Sequence, residues 1–247
     1  MRAALGKMNN IISLSGGKDS TDMVHTMIDR GEPIHSIVFF DTGWEFPQMY
    51  DHLDLLEKNI GIKIWRLQSR LPFEYWMTAR PIIARKGENK GKVYKIGNGW
   101  PSMNRRWCTK QKTSTIECFC KPIPSVIDCV GLALDEKHRI KNNSKIPQRY
   151  PLIEYGITEK QALQNCYNRG YDWGGLYEHF DRVSCFCCPL KSSPKAWRKI
   201  REHFPELWKK MLQMDSDIQE NKGFYGYKTV HDLDKRFAEE DRQGNLW

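Results

Sequence analysis

The chain has 247 residues, of which 40% are hydrophobic and 12% aromatic. That length suits one large domain, or one domain with a small appendage. No run approaches the ~18 consecutive apolar residues of a membrane span, so no such span is implied, and the first ten residues hold no apolar signal core, so a cytoplasmic protein is expected. The formal net charge of +9 fits a polyanionic partner, nucleotide or nucleic acid, although a merely basic soluble protein can carry it too.

Taken in chain order, Ile11 to Ser15 reads as a short buried strand. From Asp19 to Arg30, Met23, Val24, Met27 and Ile28 recur on one face at helical spacing, with Gly31 as the stop. Ile34 to Phe40 reads as a second strand, with Ile37 to Phe40 unbroken and apolar as burial on both faces of a parallel sheet requires. Pro47 opens a second helix with Tyr50, Leu53, Leu56 and Ile60 on one side, and Ile62 to Leu67 is a third strand. This β-α-β-α-β order predicts an α/β fold with an open, doubly wound, mostly parallel sheet of Rossmann-like type.

Arg80 to Pro101, rich in Gly, Lys and Asn, reads as an exposed, mobile excursion. Cys108 to Lys121 suits a helix, Val126 to Leu132 a buried strand, and Lys141 to Arg149 a polar loop. Thr158 caps a helix running to Arg169, and Pro194–His203, Glu206–Gln219 and Thr229–Glu240 follow as helices. The expected organisation is a nucleotide-binding α/β domain over residues 1–190, carrying the cysteines, with a helical extension over 191–247 packed on it.

Basic residues recur in Arg80–Lys95, Arg105–Lys121, Lys137–Arg149 and Lys191–Lys210. Tyr94, Trp100, Trp107, Tyr150, Trp197 and Trp208 interleave with them. Aromatic rings among cations suit stacking on nucleic-acid bases, though rings also fill cores.

The most informative local pattern is Ser15-Gly16-Gly17-Lys18-Asp19-Ser20, at the junction of the first strand and helix. Adjacent glycines let the backbone bend tightly and approach a ligand closely. The first helical turn leaves amide N–H groups unpaired at the positive end of the helix dipole, a place for a phosphate. Lys18 adds a charge, Ser15 and Ser20 add hydroxyls, and Asp19 can cap the helix or help hold magnesium. The loop is not a Walker A sequence, since Ile12 stands where that pattern needs glycine, nor a Gly-x-Gly-x-x-Gly fingerprint. The same spacing also suits an ordinary strand-to-helix turn.

The loop resembles the pyrophosphate loop of the N-type ATP pyrophosphatases, the adenine nucleotide alpha hydrolase-like superfamily. Asp41-Thr42-Gly43-Trp44-Glu45-Phe46-Pro47-Gln48-Met49-Tyr50 resembles the Asp-Thr-Gly…Phe-Pro-Glu-Thr-Tyr stretch of its phosphoadenosine phosphosulfate (PAPS) reductase branch. Gly131 to Arg139 is similar to a third segment of that family, with Ala133 in place of an arginine and Lys137 in place of a serine. The resemblance covers about residues 10 to 190. It implies an adenine nucleotide across the carboxyl ends of the strands, as the rule for open α/β sheets also has it. Asp41, Thr42 and Gly43 would then line the adenosine side, Gly131 would flank the nucleotide, and Arg139 would reach a phosphate.

Eight cysteines without an export signal favour metal or sulfur chemistry over disulfides. Cys185-Phe186-Cys187-Cys188-Pro189 resembles the family's Cys-x-x-Cys-Pro element, and Arg106-Trp107-Cys108-Thr109 with Lys112 resembles its Arg-x-Cys-Thr element. That resemblance implies three ligands, Cys108, Cys185 and Cys188, for a [4Fe-4S] cluster with one open iron. A zinc site with Cys118, Cys120 or Cys187 as fourth ligand is the rival. Arg105, Arg106, Lys110 and Lys112 are expected to lower the pKa of Cys108, whereas Cys129 and Cys166 read as small core residues.

The expected activity is ATP-dependent sulfur transfer to nucleic acid, a tRNA base or the DNA backbone, with Lys18, Asp19 and Cys108 as catalytic residues. Mg2+-ATP, a sulfur donor such as a cysteine desulfurase, and a homodimer are implied with it. Reduction of PAPS or adenylyl sulfate to sulfite is the alternative, but that chemistry needs a C-terminal nucleophilic cysteine, and no cysteine follows Cys188. A non-enzymatic nucleotide- or nucleic-acid-binding module with structural zinc is the third reading.

Overall fold

The computed structural model describes residues 8–102, 104–140, 144–189 and 194–244. The start of the 141–149 loop, Lys191 of the last basic stretch and the terminal Asn245, Leu246 and Trp247 lie outside them. The chain forms two compact units. The first takes in residues up to Asp41, Glu45–Gln68 and Lys112–Ser184; the second takes in Thr42–Trp44, Ser69–Gln111 and the chain from Cys185 onward.

In the first unit, β1 (Asn9–Leu14), β2 (Ser36–Asp41), β3 (Ile64–Gln68), β6 (Val126–Val130) and the two-residue β7 (Gln148–Arg149) form one sheet in the order β3-β2-β1-β6-β7. All four pairings are parallel. This is the open parallel α/β sheet that the alternation of apolar runs predicts. Ile11 and Val38 point to one face and Ile12, Ile37 and Phe39 to the other, and none is more than 2% exposed, so the sheet is covered on both sides. β7, inside the stretch read as a loop, is too short to leave an apolar signature.

Helix α1 (Lys18–Asp29) follows β1 directly, with Gly17 at its N-cap and Met23, Val24 and Met27 buried. Helix α2 (Pro47–Ile60) starts on proline and ends on Gly61 in the left-handed conformation, the usual asymmetry of helix ends. Ile116 and Cys120 of α3 (Trp107–Cys120) pack with Ile11 and Val38 of the sheet. A short α4 (Pro151–Glu154) and α5 (Glu159–Asn168) pack on α1. Thr158 caps α5 in a reciprocal box with Gln161. A 3-10 turn at Trp173–Gly175 leads into α6 (Leu176–His179).

The second unit holds a π turn at Tyr75–Ala79 and an antiparallel ribbon of β4 (Pro81–Ile83) and β5 (Val93–Ile96). The stretch read as a mobile excursion is therefore a hydrogen-bonded hairpin. Helices α7 (Pro194–His203), α8 (Pro205–Ser216) and α9 (Val230–Gly244) complete the unit. Its core is aromatic: Trp100 and Trp197 both pack edge-on against Phe224, and Trp208 meets Phe237. The Trp100 indole N–H donates to buried Asp215 at 2.7 Å. Trp100, Trp197 and Trp208 are thus core residues, and the expectation that they stack on bases is corrected. The basic stretch reaching Lys210 is also largely neutralised in place. Arg198 pairs with Glu202, Glu240 and Asp241, Arg201 with Asp234 and Asp241, and Lys209 with Glu206.

Candidate functional site

The loop between β1 and α1 is held in shape by its own serines. The Ser20 hydroxyl accepts the Ser15 N–H at 3.1 Å, lies 2.9 Å from the Ser15 hydroxyl and donates to the Gly17 carbonyl at 3.1 Å. Ser15 and Ser20 therefore staple the loop. Gly16 has φ +80°, and a Cβ there would meet the Met49 sulfur at 2.3 Å. Gly131, just after β6, is needed for another reason: a Cβ on it would lie 2.8 Å from the Ser20 Cα. Its lack of a side chain lets the end of β6 approach the first turn of α1.

Two side chains that no local pattern marks complete the support. The Trp173 indole N–H donates to the Gly16 carbonyl at 2.7 Å, and the Tyr177 hydroxyl accepts the Lys18 N–H at 2.7 Å. Behind them lies a buried polar layer. Thr21 bonds His52 and His25 bonds Tyr171, each at 2.9 Å, and His52 stacks on Trp173. Burial holds His25 at a pKa of about 4 and His52 at about 3, so both are neutral.

Charge gathers at the mouth of the loop. Lys18 Nζ is 2.9 Å from Glu159 and 3.4 Å from Asp19. Burial opposes its charge, but Asp19 and Glu159 outweigh that and raise its pKa. Carboxylate oxygens of Asp19, Glu136 and Glu159 all lie within 4.8 Å of one another. Burial pushes Asp19 up to about 6, with Glu159 and Glu136 adding to the rise against the pull of Lys18. Asp19 Oδ1 is buried without a hydrogen-bond partner. Asp19 does not cap α1; the cap position belongs to Gly17. Three gathered carboxylates, with an orphaned oxygen among them, are a donor set that fits a hard divalent cation. Sequence reasoning missed Glu136 and Glu159: the first lies inside a segment singled out only for Gly131 and Arg139, the second at the first position of α5.

Arg139 forms an ion pair with Glu136, and Arg182 lies 4.0 Å from the same carboxylate. Asp41, at the end of β2, accepts from Tyr50 at 2.8 Å and from Gln68 at 2.9 Å. Thr42 and Gly43 belong to the second unit, where the Thr42 hydroxyl accepts the Trp44 N–H at 3.1 Å.

Cys108, Cys185 and Cys188 all belong to the second unit. Cys185 and Cys188 share a turn closed by the Cys188 N–H on the Cys185 carbonyl at 3.1 Å. Burial, reinforced by the nearby Cys188, pushes the Cys108 thiol up. This corrects the expectation that neighbouring cations lower it: what opposes burial is hydrogen bonding at Thr109. Cys120 belongs to the core of the first unit, its thiol pushed up to about 11 by burial. Cys129 and Cys166 are fully buried as expected, and the Cys129 thiol is pushed up to about 12. Cys108, Cys185 and Cys188 supply thiolates, the ligand chemistry of an iron–sulfur group or of zinc.

No helix among the described residues is long and apolar enough to cross a membrane. Two uncharacterized proteins of Methanocaldococcus jannaschii are similar to the chain. One is 28% identical over 81% of the chain and 40% of its own length; the other is 25% identical over 82% and 46%. The chain thus spans less than half the length of the curated relatives it matches. The crystal structure of phosphoadenylyl-sulfate (PAPS) reductase from Candida auris, a phosphate complex, is similar in fold. Its TM-score is 0.51 at 15% identity, covering 74% of this chain and 84% of that one. Residues 9–143, from β1 past the Glu136 segment, match the phosphoadenosine phosphosulfate reductase domain, and the chain belongs to that family.

Proposed function

We propose that the protein is an ATP-dependent sulfur transferase that adenylates a nucleic-acid substrate. The observation that carries this reading is the orphaned Asp19 oxygen beside Glu136 and Glu159. A sulfonucleotide would bring more negative charge to three carboxylates, whereas a triphosphate arrives with Mg2+ and turns them into ligands. The loop amides and Lys18 would take the pyrophosphate end, charge-assisted contacts that strengthen as the leaving group gains charge. Asp41, Thr42, Gly43, Gly131 and Arg139 remain the proposed nucleotide-side residues.

An oxygen of the substrate, on a base or a backbone phosphate, attacks the α-phosphorus, and the bond to pyrophosphate breaks. A sulfur nucleophile then attacks the activated atom, and AMP leaves with the former substrate oxygen. Cys108, Cys185 and Cys188 would hold a [4Fe-4S] group, which when bound supplies a site for sulfur; the sulfur itself arrives at the sulfide level, as hydrosulfide or as the persulfide of a donor such as a cysteine desulfurase together with a two-electron thiol reductant. A homodimer remains part of the proposal.

Reduction of a sulfonucleotide is the second reading, favoured by the family match itself. Anaerobically purified protein incubated with ATP, Mg2+ and cellular RNA or DNA distinguishes the two. Release of pyrophosphate that needs both the nucleic acid and Mg2+ supports adenylation; sulfite from PAPS with thioredoxin as reductant contradicts it.

A further inference from the structure

The β4–β5 ribbon is a basic arm whose tip charges form no ion pair among the described residues. From Arg80 to Gly97 it carries Arg80, Arg85, Lys86, Lys90, Lys92 and Lys95 against one carboxylate, Glu88. Residues 85–94 are all exposed. The tip is nevertheless ordered by backbone bonds, Ala84 N–H to Lys92 at 3.0 Å, Gly91 N–H to Ala84 at 2.9 Å and Lys90 N–H to Gly87 at 3.0 Å. Its base is tied to the π turn through the Asn98 and Gly99 N–H groups, on Trp76 and Met77, and a Cβ on Gly97 would clash with the Met77 carbonyl. Among the described residues Arg85, Lys86, Lys90 and Lys92 form no ion pair, whereas Arg198 and Arg201 of α7 and Arg236 of α9 are each matched to a carboxylate. Like charges crowded on two short strands repel, so the fold bears a cost here that a polyanion would relieve.

The ribbon also offers flat and apolar surface. Tyr94 is 60% exposed, Val93 52% and Ile83 46%, and the Arg80 guanidinium lies 4.3 Å from the Trp76 ring centroid. An exposed ring, Tyr94, among unpaired cations matches a strand whose bases are unstacked, a base having a face for the ring and a phosphate for the lysine. We propose that the ribbon is the docking surface for a single-stranded polynucleotide. The proposal rests on the nucleic-acid reading of the function and names the surface that serves it.

The test is fluorescence anisotropy of the full chain with a labelled single-stranded RNA, the same sequence as DNA, and its duplex. One variant is Lys86→Gln/Lys90→Gln/Lys92→Gln; the control is Lys58→Gln/Lys121→Gln/Lys235→Gln, with equal charge loss at exposed positions elsewhere. Each phosphate contact to a single strand contributes roughly 0.7 to the slope of log affinity against log salt, so the ribbon variant should lose roughly 2 from that slope and the control should not. Tyr94→Ala should weaken single-strand binding on the order of 10-fold and leave duplex binding unchanged. Wild-type protein that binds none of the three overturns the nucleic-acid reading and the ribbon with it. Binding that the ribbon variant retains as well as the control overturns the ribbon alone. A preference for duplex with a silent Tyr94→Ala overturns the single-stranded occupant.

Discussion

The phenol oxygen of Tyr177 lies 2.7 Å from the Lys18 backbone nitrogen and accepts its hydrogen, occupying the first amide of α1 with a side chain from α6. That amide is one of those an anion would use. Tyr177→Phe should therefore destabilise the free protein by about 1–3 kcal/mol, the cost of a buried N–H left without an acceptor. Saturating pyrophosphate should shrink the loss by giving the amide a new partner. Denaturant unfolding with and without pyrophosphate measures both; an equal loss in each condition would show that the anion does not reach this amide.

Gly131→Ala should act through the backbone of α1. The new Cβ stands 2.8 Å from the Ser20 Cα, and neither segment can yield as a flexible side chain would. A stability loss of about 1–3 kcal/mol and weaker ATP binding are expected together. Calorimetry showing lost stability with unchanged ATP affinity would detach Gly131 from the loop's shape.

Lys18→Ala removes the one cation facing Asp19 and Glu159. The loss of a charge-assisted phosphate contact is worth about 1.5–3 kcal/mol, roughly a 10- to 150-fold weaker affinity for ATP. Titration calorimetry with Mg2+-ATP reads this directly, and unchanged affinity would remove Lys18 from the site.

His52 gives the chain a pH dependence with a defined sign. Its folded pKa, lowered to about 3, lies below the unfolded value of 6.5, so its contribution is full above 6.5 and fades as pH falls toward 3. From pH 7 to pH 5 the loss is about 2 kcal/mol. Asp19 and Asp22, both raised to about 6, pull the other way, their contribution fading as pH rises through 6. The difference between wild type and His52→Gln isolates the histidine: the variant's denaturant midpoint should fall less between pH 7 and pH 5. Parallel curves would show that His52 is not held neutral.

Much of the fold is legible in the sequence because the signals are local. Pro47 and Thr158 mark helix starts, and the apolar residues of β1 with the unbroken run Ile37–Phe40 in β2 mark a sheet covered on both faces. The ends of the loop are legible too, since glycine spacing and a helix start are adjacent in the chain. Glu159, Trp173 and Tyr177 are not, because they reach the loop from segments more than 140 residues away and carry no pattern of their own. Trp100 and Trp197 mislead in the opposite direction: their neighbours in sequence are basic, but their neighbours in space are Phe224 and Asp215. Cys108 misleads similarly, since counting nearby cations says nothing of how much water burial removes.

The central claim is that AMP departs with an oxygen taken from the nucleic acid. Substrate carrying 18O at the position to be modified, incubated with ATP, Mg2+ and the sulfur donor, tests it in one mass spectrum of the released AMP. One 18O per AMP, matched by one sulfur gained in the nucleic acid, is the predicted result. AMP without label, with the 18O still in the nucleic acid, would contradict it.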